Sequence, residues 1–200
     1  MIAVVDYGAG NIRSVELALG HLNASFETTS DPARVLAADR VIFPGVGAAG
    51  SAMRVLKERG LDEALGEAAK RGTQILGICI GAQLVLDHSE EGDTTCLGLI
   101  KGNVRRFPSD AGLKIPQIGW NTVEFQAESG LFTRIPDSSS FYFVHSYYPA
   151  PADAWALGRT SYGVEFVCAF EQENVHAVQF HPEKSGPVGL RLLQNFFSLD

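Results

Sequence analysis

The stretch from residue 74 to residue 86 constrains this chain most. An apolar, β-branched run, Gln74-Ile75-Leu76-Gly77-Ile78, passes through Cys79-Ile80-Gly81 directly into an apolar helical stretch at 83–86. A buried strand that breaks sharply into a helix, with glycine at minus two and plus two from the turning residue, reads as a nucleophile elbow with cysteine at its apex. The small flanking residues let the backbone fold back, the thiol is pushed out from the sheet, and the new helix leaves N–H groups unpaired around it. The helix dipole favours a thiolate there. Burial in a core would account for the cysteine, but not for glycines placed symmetrically about it.

The rest of the chain supplies a sheet for that elbow. Residues 2–6 read as a buried strand. Residues 11–22 read as a helix, with apolar Ile12, Val15, Leu19 and Leu22 at helical spacing. An extended segment at 25–28 and a third strand at 41–43 follow, the latter closed by Pro44-Gly45-Val46-Gly47. Helical patterns at 48–59 and 61–71 lead back to the elbow strand. This alternation predicts an α/β fold: a mostly parallel central sheet between helices on both faces, in three layers. After the elbow the pattern changes to strands at 103–107, 119–125, 141–144, 155–162, 167–170 and 175–180, a mixed or antiparallel extension of the same sheet, finished by a helix at 186–197. No repeat or long linker interrupts the 200 residues, so one domain spanning 1–200 is expected.

Charge narrows the function classes. Sixteen Lys and Arg face 23 Asp and Glu, and the basic residues are scattered, which argues against nucleic acid or an anionic membrane as partner. Cys79, Cys96 and Cys168 are too few and too far apart for a disulfide framework or a zinc knuckle, so a cytoplasmic protein without a metal is expected. No apolar run is long enough to span a bilayer. Gly8-Ala9-Gly10-Asn11-Ile12-Arg13 starts like a dinucleotide fingerprint but places Arg where the third glycine belongs.

A thiolate needs a proton shuttle. Of the five histidines, His181 ends the apolar run 175–180 and is followed by Pro182 and Glu183, so an imidazole and a carboxylate project together from a strand tip. His145 also ends an apolar strand but lacks an adjacent carboxylate and reads as lining or structural. His21 and His88 are expected to face solvent, and His176 to be scaffold. Acyl transfer further requires donors for an oxyanion: the N–H of Ile80 within the elbow, and N–H groups of the Pro44–Gly47 segment, where two glycines permit close approach or a peptide flip.

Together, Gly77-Ile78-Cys79-Ile80-Gly81-Ala82-Gln83 and His181-Pro182-Glu183 resemble the class I, or triad, glutamine amidotransferases, over essentially the whole chain. Asp6-Tyr7-Gly8-Ala9-Gly10-Asn11, Pro44-Gly45-Val46-Gly47, Ile118-Gly119-Trp120-Asn121, Phe143-Val144-His145-Ser146-Tyr147 and His181-Pro182-Glu183-Lys184-Ser185 narrow the match to one branch. Members of that branch feed ammonia to a (β/α)8-barrel cyclase that makes imidazole glycerol phosphate and an aminoimidazole carboxamide ribonucleotide in histidine biosynthesis. The resemblance implies a flavodoxin-like fold, glutamine as substrate, no cofactor, and a heterodimer with the cyclase.

It also implies Cys79 as nucleophile, His181 as general base and acid, and Glu183 as its partner. The oxyanion donors are the backbone of Val46, Gly47 and Ile80. Glutamine contacts come from Gln83, Glu91, Ser146 and Tyr147, and cyclase contacts from Asn11, Trp120, Tyr142 and Lys184. Two departures stand out: Ala82 occupies a position where the family commonly has a larger residue, and the 90–97 loop is atypical. The competing readings are a glutaminase for another synthase (anthranilate, guanylate or pyridoxal phosphate), a catalytically silent regulatory protein on the same fold, and a cysteine peptidase or stress protein of similar architecture.

Overall fold

The structure, a computed structural model, describes residues 1–8, 12–108 and 112–199. Its first half repeats strand–helix steps: β1 (Ile2–Val5), α1 (Ile12–His21), β2 (Phe26–Thr29), α2 (Pro32–Leu36), β3 (Arg40–Gly45), α3 (Ala49–Glu58), α4 (Leu61–Lys70), β4 (Gln74–Cys79) and α5 (Ile80–Leu84). Strands dominate the second half: β5 (His88–Ser89), β6 (Thr94–Thr95), β7 (Gly102–Arg106), β8 (Gln117–Phe125), β9 (Ser139–His145), β10 (Tyr147–Pro151), β11 (Ala156–Tyr162), β12 (Val164–Gln172) and β13 (Val175–Val178). Helix α6 (Gly186–Phe196) closes the chain.

The main sheet runs β2-β1-β3-β4-β13-β12-β11-β8-β9. From β2 to β13 every pairing is parallel; from β13 to β9 every pairing is antiparallel. The sheet is therefore mixed, with the antiparallel extension as extensive as the parallel part. β1 and β13 are buried at every residue and β3 and β4 at all but their first, because helices cover both sheet faces. On one face, Val35, Ala49, Met53, Leu56, Leu61 and Leu65 from α2, α3 and α4 pack against Val5, Val41, Phe43 and Ile75. On the other, Val15 and Leu19 of α1 and Leu192, Leu193 and Phe196 of α6 pack against Val4, Ile42, Leu76 and Val178. Burying each large side chain among these contributes about 1.5–3 kcal/mol.

The structure departs from the sequence reading in several places, and the strands β5, β6 and β10 are additions to it. Helix α2 is an addition to it, although Asp31 caps this helix by accepting from the Ala33 N–H at 2.9 Å and Pro32 opens it, the usual start signal. The segment read as a strand at 103–107 leaves the main sheet and joins β10, β5 and β6 in a separate four-stranded sheet, order β10-β7-β5-β6. The helix after the elbow is only Ile80–Leu84. Among the described residues, no helix is long and apolar enough to cross a membrane.

Glycines inside helices without packing reasons are weak points. Gly66 lies within α4, and a Cβ there would meet nothing within 4 Å. Gly66→Ala is expected to raise unfolding free energy by about 0.5–1 kcal/mol, since alanine loses less backbone entropy on entering a helix. Urea titration checks this, and an unchanged or lowered midpoint rejects it.

Candidate active site

The site forms where β3, β4 and β13 end. At the end of β4, Cys79 has φ 56° and ψ −107°, a conformation that costs a non-glycine residue about 1–3 kcal/mol and that surrounding structure must impose. The glycines show how it is imposed. A Cβ on Gly77 would lie 2.8 Å from the Gly81 carbonyl oxygen, and one on Gly81 would lie 1.8 Å from the Phe43 carbonyl oxygen. The strand, the first turn of α5 and β3 thus touch backbone to backbone. The symmetric glycines of the sequence are the steric condition for folding the chain over Cys79.

Gly45 has a different reason from the one expected. It pairs in register with Cys79 across β3 and β4, and a Cβ on it would fall 1.7 Å from the Tyr7 hydroxyl. That position is glycine because Tyr7 fills the space. Conformational freedom rests with Gly47, at φ 106°, where an added Cβ would meet nothing within 4 Å.

Past β13, Phe180 stacks on Phe141 with ring centroids 4.1 Å apart, which anchors the strand end from which His181 projects. The His181 N–H donates to the Tyr142 carbonyl at 2.9 Å. The Ser185 hydroxyl accepts from the Tyr142 N–H at 3.0 Å and donates to the His181 carbonyl at 2.6 Å. So held, His181 places Nδ1 2.7 Å from Glu183 Oε1, both side chains being 1% exposed; its Nε2 is buried without a hydrogen-bond partner, and Cys79 is near enough to act on the charge of the ring. Burial alone would lower the His181 pKa. Hydrogen bonding and charge from Cys79 and Glu183 outweigh it and push the pKa up to about 10, because both interactions favour the protonated ring.

His145 lines the cleft with both ring nitrogens engaged by the protein. Burial holds its pKa down at about 4; its Nδ1 lies 2.7 Å from the Tyr147 carbonyl oxygen and its Nε2 3.0 Å from the Gln117 side-chain oxygen. His176 is scaffold, engaged by Glu171 and Gln74 at 2.8 Å each. His21 is exposed, and the side chain of His88 is 37% exposed, pairing at the surface with Asp93 at 2.9 Å.

A cleft of about 250 Å³ opens over the thiol, lined by Val46, Gly47, Cys79, Ile80, Gln83, Glu91, Pro116, Val144, His145, Ser146 and Tyr147. Every residue expected at the oxyanion and glutamine positions is in that lining. The volume lies below the roughly 300–1,000 Å³ typical of sites for drug-sized ligands, which suits a small metabolite. A larger, more open cleft of about 770 Å³, lined by residues including Glu128, Ser129 and Thr133, contains no cysteine or histidine. Ala82 is fully buried in the core, and the 90–97 loop brings β6 against α3.

Gln83 is more committed than expected. Its Nε2 donates to the Tyr147 carbonyl at 2.9 Å and to Gln179 Oε1 at 2.9 Å. Both N–H groups are engaged, and only the buried Oε1 remains without a protein partner; Gln83 therefore offers a ligand an acceptor, not a donor. Gln179, absent from the expected site residues, is fully buried and also directs Nε2 at Cys79 Sγ from 3.7 Å. The sequence does carry a signal for it: one amide inside an apolar run, two residues before His181.

Of the residues expected to meet a cyclase, Trp120 is 58% exposed, as is Ile118 two residues earlier on β8. Their register partners on β9 are Tyr142 and Val144, with the Trp120 and Tyr142 rings edge to face at 6.1 Å. Lys184 is exposed. Asn11 lies outside the described residues.

A strained elbow cysteine facing a His–carboxylate pair, at the carboxyl edge of this mixed sheet, defines the class I amidotransferase architecture. The profile of that family, "Glutamine amidotransferase class-I", matches residues 3–199, and the chain belongs to it. Within the family it groups with subunits named "Imidazole glycerol phosphate synthase subunit HisH". It is 49% identical to that of Dehalococcoides mccartyi over all of this chain and 97% of the relative, and 52% identical to that of Herpetosiphon aurantiacus over all of this chain and 94% of the relative. Among solved structures, a glutamine amidotransferase superimposes with a TM-score of 0.74 at 19% identity, covering 99% of this chain and 98% of that one. PurLQS from Thermotoga maritima gives 0.73 at 21%, covering 98% and 97%. At those identities the likeness concerns the fold alone.

Proposed function

We propose that this chain is the glutaminase subunit of an imidazole glycerol phosphate synthase, releasing ammonia from glutamine for a (β/α)8-barrel cyclase. The observation that carries this is the strained Cys79 turned to the buried His181–Glu183 pair within a small cleft, in a chain alike over its full length to HisH subunits.

The geometry supports one sequence of steps. The Cys79 thiolate attacks the side-chain carbonyl of glutamine, and the oxyanion forms between the N–H of Ile80 and those of the Val46–Gly47 segment. His181, held as imidazolium by its two partners, protonates the departing ammonia. It then takes a proton from the water that cleaves the glutamyl thioester to glutamate. Glu91 pairs with the substrate's α-ammonium, the backbone at Ser146 and Tyr147 receives its carboxylate, and Gln83 contributes its remaining acceptor. Ammonia released into neutral water becomes ammonium and loses its nucleophilicity, so the product must pass directly to a partner.

The test is glutamate release by the chain alone, with the cyclase, and with the cyclase carrying its nucleotide. Release stimulated by the liganded cyclase supports the reading; no release under any condition rejects it. Stimulation by another synthase's acceptor subunit would move the chain to a different branch.

The exposed Ile118–Trp120 ridge beside Tyr142 is the surface assigned to the cyclase. An aromatic residue in the middle of a protein interface carries about 2 kcal/mol when truncated. Trp120→Ala is therefore expected to weaken cyclase binding by roughly 30-fold with thermal unfolding unchanged. Calorimetric titration gives the number, and equal affinities would remove Trp120 from the interface.

A further inference from the structure

Helix α3 starts two residues after the Val46–Gly47 segment, and its own sequence caps it poorly. Its N-cap residue is Ala48, which forms no side-chain cap, and its first turn contains no acidic residue. Alanine is among the weakest N-caps, and an uncapped ten-residue helix leaves N–H groups unpaired at its positive end. The missing acceptor comes from elsewhere in the chain: Glu91 Oε2 accepts from the Ala49 N–H at 2.7 Å. The loop holding Glu91 is itself fixed in place. The Glu91 N–H donates to the Ser89 hydroxyl at 3.1 Å, Thr94 Oγ1 donates to the Glu91 carbonyl at 2.7 Å, and a Cβ on Gly50, in the first turn of α3, would lie 3.3 Å from that same Thr94 oxygen. Glu91 also lines the cleft over Cys79.

We infer that Glu91 is a positioning residue as well as a substrate contact: by capping α3 from a distant loop it holds the Val46–Gly47 donors in place, so recognition of the α-ammonium and the oxyanion hole share one carboxylate. The inference rests on the glutaminase reading and adds a mechanical link that this reading does not require. Gly47 makes the link matter. At φ 106° and with open space where a side chain would start, it provides no rigidity of its own, and the segment is anchored through its two ends, β3 and α3.

The experiment separates charge from cap. In Glu91→Gln the side-chain carbonyl can still accept from Ala49 while the negative charge is gone; in Glu91→Ala both are lost. Ala48→Ser places a cap in the chain's own N-cap position, where the backbone is already extended at φ −98°, ψ 141° and the residue is exposed. Steady-state glutaminase kinetics are measured with the liganded cyclase. Glu91→Gln is expected to raise KM roughly tenfold or more, the loss of one hydrogen bond to a charged group, with kcat within about threefold of the unaltered chain. Glu91→Ala should show a similar KM with kcat about fivefold below Glu91→Gln, the effect of one lost cap. Adding Ala48→Ser to Glu91→Ala should recover kcat and leave KM raised.

Equal kcat in Glu91→Gln and Glu91→Ala, or a double variant that recovers neither parameter or both, overturns the link. Thermal unfolding reads the cap without any turnover: Glu91→Ala should lower Tm and Ala48→Ser restore it, and no such pair of shifts also overturns it. An unaltered chain that releases no glutamate would reject the glutaminase reading itself. Active enzyme without the kcat split would reject only the role assigned here to Glu91.

Discussion

Cys79→Ala and His181→Ala are each expected to lower kcat for glutamine hydrolysis by about 10⁴- to 10⁶-fold, and the double variant by little more than either alone. Nucleophile and base act as one unit, so removing the second after the first has almost nothing left to take away. Glu183→Gln should cost less, on the order of 10⁴-fold, because the imidazole remains but loses the anion that orients it and sustains its charge. The structure adds a measurable intermediate step to this ranking. The His181 pKa is raised to about 10 by Cys79 and Glu183 against the opposing effect of burial. Removing the thiol deletes one of the two supports, so in Cys79→Ala the His181 pKa must fall. Titration of the His181 ring by NMR in both proteins reads that fall directly, without turnover. A His181 that titrates identically in both would mean the two side chains do not interact, and the triad reading would fail even if Cys79→Ala were inactive for another reason.

The parts of this molecule that are legible in the sequence are those where local chemistry and global fold agree. The elbow is legible because backbone crowding on both sides of Cys79 forces glycine at 77 and 81, and the His181 pair because proline and a carboxylate end an apolar strand. Less legible are contacts made across the fold. The β5, β6, β7 and β10 sheet includes pairings across long separations, such as Tyr147 with Arg106, and its two-residue strands have no periodicity to read. The commitment of Gln83 to Gln179 and Tyr147 depends on three segments meeting, which no spacing within one of them reveals. The capping of α3 by Glu91 is the same kind of case, signalled in the sequence only by the absence of a cap at Ala48. Gly45 shows the opposite failure. Read along its own segment it stands for flexibility, yet in the fold it clears space for the Tyr7 ring, which arrives from the far end of β1.

Gly81→Ala is expected to destabilise the fold by about 3 kcal/mol or more, the upper end of overpacking penalties, lowering Tm by roughly 6–12 °C for a chain of this size. The reason is the identity of the atom in the way. A Cβ at 81 would sit 1.8 Å from the Phe43 carbonyl oxygen and 2.9 Å from its carbonyl carbon. These are backbone atoms of β3, a strand hydrogen-bonded on both sides by β1 and β4, so no rotamer change relieves the clash. Either α5 lifts away from β3 or β3 shifts, and both movements alter the site. Lifting α5 carries the Ile80 N–H away from the oxyanion position; shifting β3 moves Val46 and Gly47, which continue from it. A displacement near 1 Å costs on the order of 100-fold in rate, so the folded fraction of Gly81→Ala should also show kcat reduced by at least about that factor. Gly66→Ala supplies the contrast, the same added methyl with nothing within 4 Å and a shift of opposite sign. If the two variants unfold at the same temperature, backbone contact between β3 and the elbow helix does not hold Cys79 in its strained conformation, and the nucleophile is held by something else.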